Sequence, residues 1–201
     1  MENQFESMPM VALRGMTVLP EMVIHFDVSR ARSIEAIQRA MQSKEQKIFL
    51  VAQRELNIDN PKQEDVYEVG TVATVKQIAK MSKNVFRVLV VGEQRARLLQ
   101  IEEEDPALQA EVYLIEDNDV EEKLSDNIEA KNLQQIFFEY TIKSGKVSKD
   151  VIAQIADSKS FKSLIYQIAS NVAMDYKNLQ EIIEEDDIHA RYHLLAFKIA
   201  N

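Results

Sequence analysis

The apolar residues of this chain change their repeat near residue 117, and that change limits the folds open to it. Before it, short apolar runs are separated by turn residues at intervals suited to strands. After it, apolar residues recur at spacings of three and four, the repeat of a helix face. The expectation is an α+β chain with two parts, a small β-barrel over residues 1–117 and an α-helical bundle over 118–201.

In the first part the runs predict strands at Met10–Arg14, Met22–Val28, Lys47–Gln53, Val69–Ala79, Val85–Val91, Ala96–Glu102 and Gln109–Ile115. Lys80–Asn84 separates two of them, and Asn84 tolerates the left-handed backbone that a tight hairpin favours. Ile34, Ile37 and Met41 predict one interrupting helix over Ser33–Met41, capped by Ser29 or Ser33. In the second part Val120–Lys143 reads as a helix carrying Ile128, Ile136, Phe137 and Tyr140. Ser148, Ser160 and Asp175 precede three more, and Asp186 or Asp187 caps the last. In that last helix Ile188, Tyr192, Leu195 and Ile199 form a heptad-like seam that continues to Asn201 with no closing turn residue. The seam is expected to meet a partner or a continuation, as in the front end of a longer chain.

Composition excludes several classes of chemistry. At 201 residues the chain is long enough to bury about 70% of the surface its unfolded form exposes. It has no cysteine, so disulfides, thiolate metal sites and thiol nucleophiles are ruled out. Four glycines and no G-x-x-x-x-G-K-[ST] motif leave no phosphate loop. No apolar run is long enough for a membrane helix, and the opening MENQFESMPM has no signal-peptide pattern, so the expected location is the cytoplasm. His189 and His193 share a helix face without an evident third metal ligand, and His25 reads as a hydrogen-bonded strand residue. Of the net charge of -9, residues 1–100 carry 14 basic against 12 acidic groups and residues 101–201 carry 10 against 21. That asymmetry suggests two parts with different tasks.

Two surface features remain. Lys76, Lys80, Lys83, Arg87, Arg95 and Arg97 cluster on and beside the hairpin, which reads as a solvated strand face or as a basic face for nucleic acid. Met81, near the hairpin tip, either folds back on the barrel or offers a flexible apolar contact. Met81, Val85, Phe86, Met16 and Met22 are the candidate residues for binding exposed apolar segments of other proteins.

Several blocks resemble the ATP-dependent Lon proteases. Val11–Ile24 (VALRGMTVLPEMVI) is similar to the opening P-L-R-x-x-V-x-F-P-G-M-V-x-P of that family. KIFLVAQRE (47–55), DVYEVGTVATVKQI (65–78) and FRVLVVGEQRARL (86–98) are similar to its next blocks, and Leu179 through Leu195 to a later one, with Arg191 at the arginine. The chain departs from the pattern at Leu19 (an aromatic), Glu21 (glycine), His25 (proline), Ser82-Lys83 (Pro-Asp) and Ile165-Tyr166 (Ala-Asp). The resemblance implies a PUA-like barrel joined to a helical bundle, serving substrate recognition and assembly. In the parent it implies an AAA+ ATPase using ATP and Mg, a Ser-Lys serine protease and a homohexamer acting on unfolded or damaged proteins. No cofactor is expected in the present chain. The alternatives are a nucleic-acid-binding module and a stand-alone Lon-domain scaffold protein.

Overall fold

A computed structural model describes residues 2–201 and divides the chain into two compact units, Met1–Glu116 and Asp117–Asn201. The first contains strands β1 (Phe5–Leu13), β2 (Val23–Val28), β3 (Lys47–Ala52), β4 (Val69–Ser82), β5 (Val85–Glu103) and β6 (Leu108–Leu114), with helix α1 (Ala31–Gln42) between β2 and β3. The second contains α2 (Ile128–Ser144), α3 (Lys149–Ala156), α4 (Phe161–Asn171), α5 (Tyr176–Glu184) and α6 (Ile188–Ala200).

The sheet order is β2-β5-β4-β3-β1-β6, and β6 also pairs with β5. Five strands therefore form a closed ring, and β2 is attached outside it along Phe86–Val91 of β5. One long strand makes this possible: β5 serves β2 with its first half and β6 with its second, so Val85–Glu103 runs through Gly92 instead of breaking into two strands there. Three register shifts between β4 and β5, which leave Lys76, Met81 and Glu93 as extra residues, supply the bending that closure requires. Met8, Met10, Phe49, Val72, Leu98 and Val112 fill the interior.

Gly92 allows a close crossing. A Cβ there would stand 2.1 Å from the Leu19 carbonyl oxygen. The glycine donates to Met22 O (2.8 Å) and accepts from Glu21 N (2.8 Å). Leu19-Pro20-Glu21-Met22 is itself a tight turn, closed by Met22 N donating to Leu19 O at 3.2 Å. Its third residue has φ 65, the arrangement of a type II turn, where glycine is favoured and this chain has Glu21.

The helix between β2 and β3 differs from its expected register. It buries Ser33, Ala36, Ile37 and Ala40, while Ile34 and Met41 are half-buried, because small residues on the inner face let the helix approach the sheet closely. Neither Ser29 nor Ser33 caps it: the N-cap residue is Arg30, and no side chain caps the end. The β4–β5 turn is Lys83-Asn84, and Asn84 has no positive φ. The added twist of the bulge at Met81 stands in for the left-handed turn residue.

In the second unit Ser148, Ser160, Asp175 and Asp187 accept the first-turn N–H bonds of their helices. α2 begins only at Ile128, where Asn127 accepts from Ala130 N at 2.9 Å, so residues 120–127 are not helical. The seam of α6 faces inward. Leu195 is 0% exposed and Tyr192 is buried, with α2, α4 and α5 packed against this helix. Ile188 and Ile199 are half-buried. The seam's central residues therefore belong to the core of their own unit and are not an open face for a partner, which corrects that expectation.

By unit, the charge asymmetry largely vanishes. The first unit carries 14 basic against 18 acidic groups and the second 10 against 15, because six acids between Glu102 and Glu116 belong to the barrel.

Candidate functional site

The ring of strands is incomplete at one end. β1 pairs with β6 over Phe5–Met10 and with β3 over Met10–Leu13, so no strand covers the β6-side edge of Val11–Leu13. Edge carbonyls left in this way need donors. Arg30, directly after β2, supplies one: its Nη2 donates to Ala12 O, and its Nη1 donates to Gln53 Oε1 (2.7 Å) and to Asp59 O (3.3 Å). Burial pushes the Arg30 guanidinium below its ordinary pKa, with Arg14 adding to the shift and Asp59 opposing it. Arg14 Nη2 donates to Asp59 Oδ1 (2.6 Å) and to Ile58 O (3.2 Å), and the buried Gln53 amide donates to Ile58 O at 2.9 Å. Arg14, Arg30 and Gln53 thus tie the segment after β3 across the open end.

Two clefts share Ala12, Arg30 and Ser33 at this end. One is walled by Leu13, Met16, Phe26 and Val28, and the other, of about 450 Å3, by Pro61, Pro106, Leu108 and the start of α1. The first continues the inner face of the β2–β5–β4 arm. Cross-strand pairing puts Phe26, Val88 and Ile78 in one row and Val28, Phe86 and Lys80 in the next. The valines are buried, whereas Phe26, Ile78 and Phe86 are half-buried, which leaves a shallow apolar trough.

The five candidate residues separate on this frame. Phe86 lies in the trough and Met16 lines the first cleft; both are half-buried. Met81 is 51% exposed at the bulge. Val85 is adjacent to Phe86 in a regular strand, so it points to the opposite face and does not join the same patch. Met22 is 7% exposed beneath the Leu19–Met22 turn, so it is a core residue, which corrects its place among the surface candidates. Phe26 and Ile78 take that place. Phe26 is visible in the alternation of VIHFDV, but Ile78 follows a bulge that shifts strand parity and has no such signal.

The basic cluster disperses as well. Arg95 is buried in the barrel, Arg87 Nε donates to Asp27 (2.9 Å) and Arg97 Nη1 to Glu68 (3.3 Å). That hydrogen bond holds the Asp27 carboxyl below its ordinary range. Lys76, Lys80 and Lys83 remain on the surface. His25 is exposed on the outer face of β2, so it is not the satisfied interior residue that its apolar flanks suggest.

In the second unit Glu129 stands 2.6 Å from His189 Nδ1 and 3.7 Å from His193 Nε2. Among the described residues no group of three His, Cys, Asp or Glu side chains has the geometry to hold a metal. No described helix is long and apolar enough to cross a membrane.

Comparison with known proteins agrees with the fold. The solved N-terminal domain of the Mycobacterium avium complex Lon protease matches with a TM-score of 0.78 at 15% identity, covering 98% of this chain and 99% of that one. A Lon N-terminal domain protein from Xanthomonas campestris matches at 0.67 and 16%, covering 94% and 96%. These likenesses concern the fold. In sequence, the chain is 35% identical to the Lon protease of Lachnoclostridium phytofermentans over all of its own length and 25% of that protein's. It is 39% identical to the Lon protease of Bacillus thuringiensis over 93% of its own length and 23% of that protein's. The chain thus spans about a quarter of the length of these relatives. Residues 7–197 match the family described as the ATP-dependent protease La (LON) substrate-binding domain, and the chain belongs to that family.

Proposed function

We propose that this chain receives unfolded or damaged proteins for an ATP-dependent Lon protease, by contact with exposed apolar surface at the hairpin end of the barrel unit. The parent would be a cytoplasmic homohexamer that uses ATP and Mg and a Ser-Lys protease centre, all outside the present chain. The observation that carries the reading is the half-exposed Met81 at the bulge, directly after Lys80, which pairs with Phe86 of the trough. A receiver of many sequences needs weak apolar contacts that adapt, and an exposed thioether side chain on the strand that borders the trough suits that task. Val85 would add area on the other face of the hairpin and Met16 at the neighbouring cleft. Self-association would need surfaces other than the α6 seam, whose central residues are occupied.

Methyl NMR of the eight methionines during addition of a permanently unfolded protein, then of its native form, tests this. Met81 and Met16 should shift with the unfolded form alone. Met81→Glu should weaken binding roughly tenfold, since a buried apolar side chain contributes about 1.5–3 kcal/mol. If no methionine responds at high concentration, the reading fails. A rival nucleic-acid role would instead give binding that falls steeply with salt and depends on Lys76, Lys80 and Lys83.

A further inference from the structure

Among the described α-helices, α1 alone starts without a side-chain cap. Its first intrahelical bond is Ile34 N to Arg30 O at 3.0 Å, and no side chain caps the end. The N–H groups of Ala31, Arg32 and Ser33 donate to nothing among the described residues. Ser33 is 7% exposed, lines both clefts, and its hydroxyl has no partner among the described residues. The helix carries no acid in its first turn; its flanking charges are Arg30 and Arg32, cations at the end of a helix dipole that favours anions. Arg32 is held by Asp105 through two bonds of 2.9 and 3.1 Å. Arg14 is held by Asp59 at 2.6 Å.

Free N–H groups, a hydroxyl on an otherwise buried residue that lines the cleft, and a half-buried guanidinium together make an anion-binding nest. The local charge limits the anion. Arg14, Arg30 and Arg32 face Asp59 and Asp105, a balance of one positive charge, which matches a monoanion better than a phosphate carrying two charges. Of the remaining walls of the larger cleft, Ala12, Pro61, Pro106 and Leu108 are apolar and Asn60 is polar. An occupant that meets both conditions has a single carboxylate next to an apolar group. A polypeptide ending in an apolar residue presents that combination, and it can thread into a cleft of about 450 Å3 end first.

We propose that the amino-terminal end of α1, with Ser33 and Arg30, binds the terminal carboxylate of a polypeptide whose last residue is apolar. This rests on the reading of the barrel unit as a receiver of protein substrates, and it adds a polar anchor for chain ends to the apolar surface at the hairpin. The carboxylate accepts hydrogen bonds from Ala31, Arg32 and Ser33 N–H and from the Ser33 hydroxyl, and Arg30 supplies the neighbouring charge. The last side chain lies against Pro61, Pro106 and Leu108.

The test is backbone-amide NMR of the whole 201-residue chain titrated with N-acetyl-leucine and, separately, with N-acetyl-leucinamide. The acid should move the resonances of Ala31, Arg32 and Ser33, and the amide should leave them in place. Two variants report on the nest without disturbing the fold. Ser33→Asp puts a competing carboxylate where the helix favours one, and should weaken N-acetyl-leucine roughly tenfold or more while thermal stability holds or rises. Ala31→Pro removes one N–H at the first helical position, where proline is tolerated, after an Arg30 already extended at φ -72 and ψ 135. It should weaken binding by roughly fivefold. Equal binding of acid and amide, or no shift at high concentration, overturns the proposal. Inorganic phosphate or N-acetyl-glutamate α-amide binding as tightly as N-acetyl-leucine overturns the assignment to a chain terminus. The Met81 response to an unfolded protein with a blocked carboxyl end is separate: it survives if only the carboxylate site is wrong, and disappears if the receiver reading is wrong.

Discussion

The two units of this chain each bury an arginine almost completely, and they differ in what is left open around it. In the helical unit Arg191 is 1% exposed. Its Nε and Nη2 donate to Glu185 O at 3.0 and 2.6 Å, its Nη2 stands 3.4 Å from Asp117, and its guanidinium lies over the Tyr166 ring. Tyr166 donates to the other oxygen of Asp117 at 2.5 Å. The members of that group bond to one another. The barrel unit also buries Arg95, but it ends in clefts, an uncovered strand edge and a helix start without a cap. A buried arginine whose partners bond to one another has little to offer a ligand, whereas an end with free donors and half-buried rings does. The difference supports the proposed binding in the barrel unit.

The comparison is broken most severely at Arg191. Arg191→Leu leaves Asp117 with little exposure and without its cation, a loss of about 3–5 kcal/mol. Urea unfolding followed by NMR should then show the helical unit melting before a barrel whose own midpoint is unchanged. Simultaneous loss of both units would show that the barrel depends on the bundle. The counterpart in the barrel is Gly92→Ala, whose methyl would overlap the Leu19 carbonyl and should cost about 3 kcal/mol or more while leaving the bundle intact. At the same turn Glu21→Gly relieves a left-handed backbone that disfavours a side chain, with a net gain of about 0.5–1 kcal/mol after the greater freedom of glycine in the unfolded chain. Opposite shifts in barrel melting temperature from neighbouring substitutions would sharpen the assignment of this crossing as its strained point.

Much of this division is legible in the amino acids, since a period of two or of three to four survives any tertiary arrangement. The caps at Ser148, Ser160, Asp175 and Asp187 are legible for the same reason: they act within one turn. Faces and partners are not local. Three bulges reset strand parity between Val72 and Ser82, so the relation of Met81 to Phe86 depends on a register that no alternation reveals. The stripe Ile188, Tyr192, Leu195, Ile199 announces burial but not what does the burying, and the neighbouring helices of the same unit supply it. At α1 two serines suited to capping flank the helix start, and the chain places Arg30 at the cap instead because the uncovered Ala12 carbonyl requires a donor there. The clefted end of the barrel is hidden from sequence reading because it consists of unmet local rules.

The smallest expected effect tests whether the bundle's surface is as inert as its core is closed. His189 donates to Glu129 across α6 and α2, and that hydrogen bond, with a further contribution from Asp187 beyond the burial that opposes it, raises the histidine above its ordinary pKa. The groups facing it are Glu129 on α2, Asp187 at the cap and His193 one turn on. A pKa raised on folding means that the stabilisation is fully present below the unfolded value of about 6.5 and is lost as pH rises through the folded value. Because the imidazole is more than half exposed, solvent screening keeps the pair below about 1 kcal/mol. The stability difference between the unaltered chain and His189→Ala should therefore be greatest below about pH 6.5 and shrink as pH rises through the raised folded value, confined to the helical unit. A difference that stays constant over that range would mean that the imidazole contributes through packing against Phe161 and not through its charge.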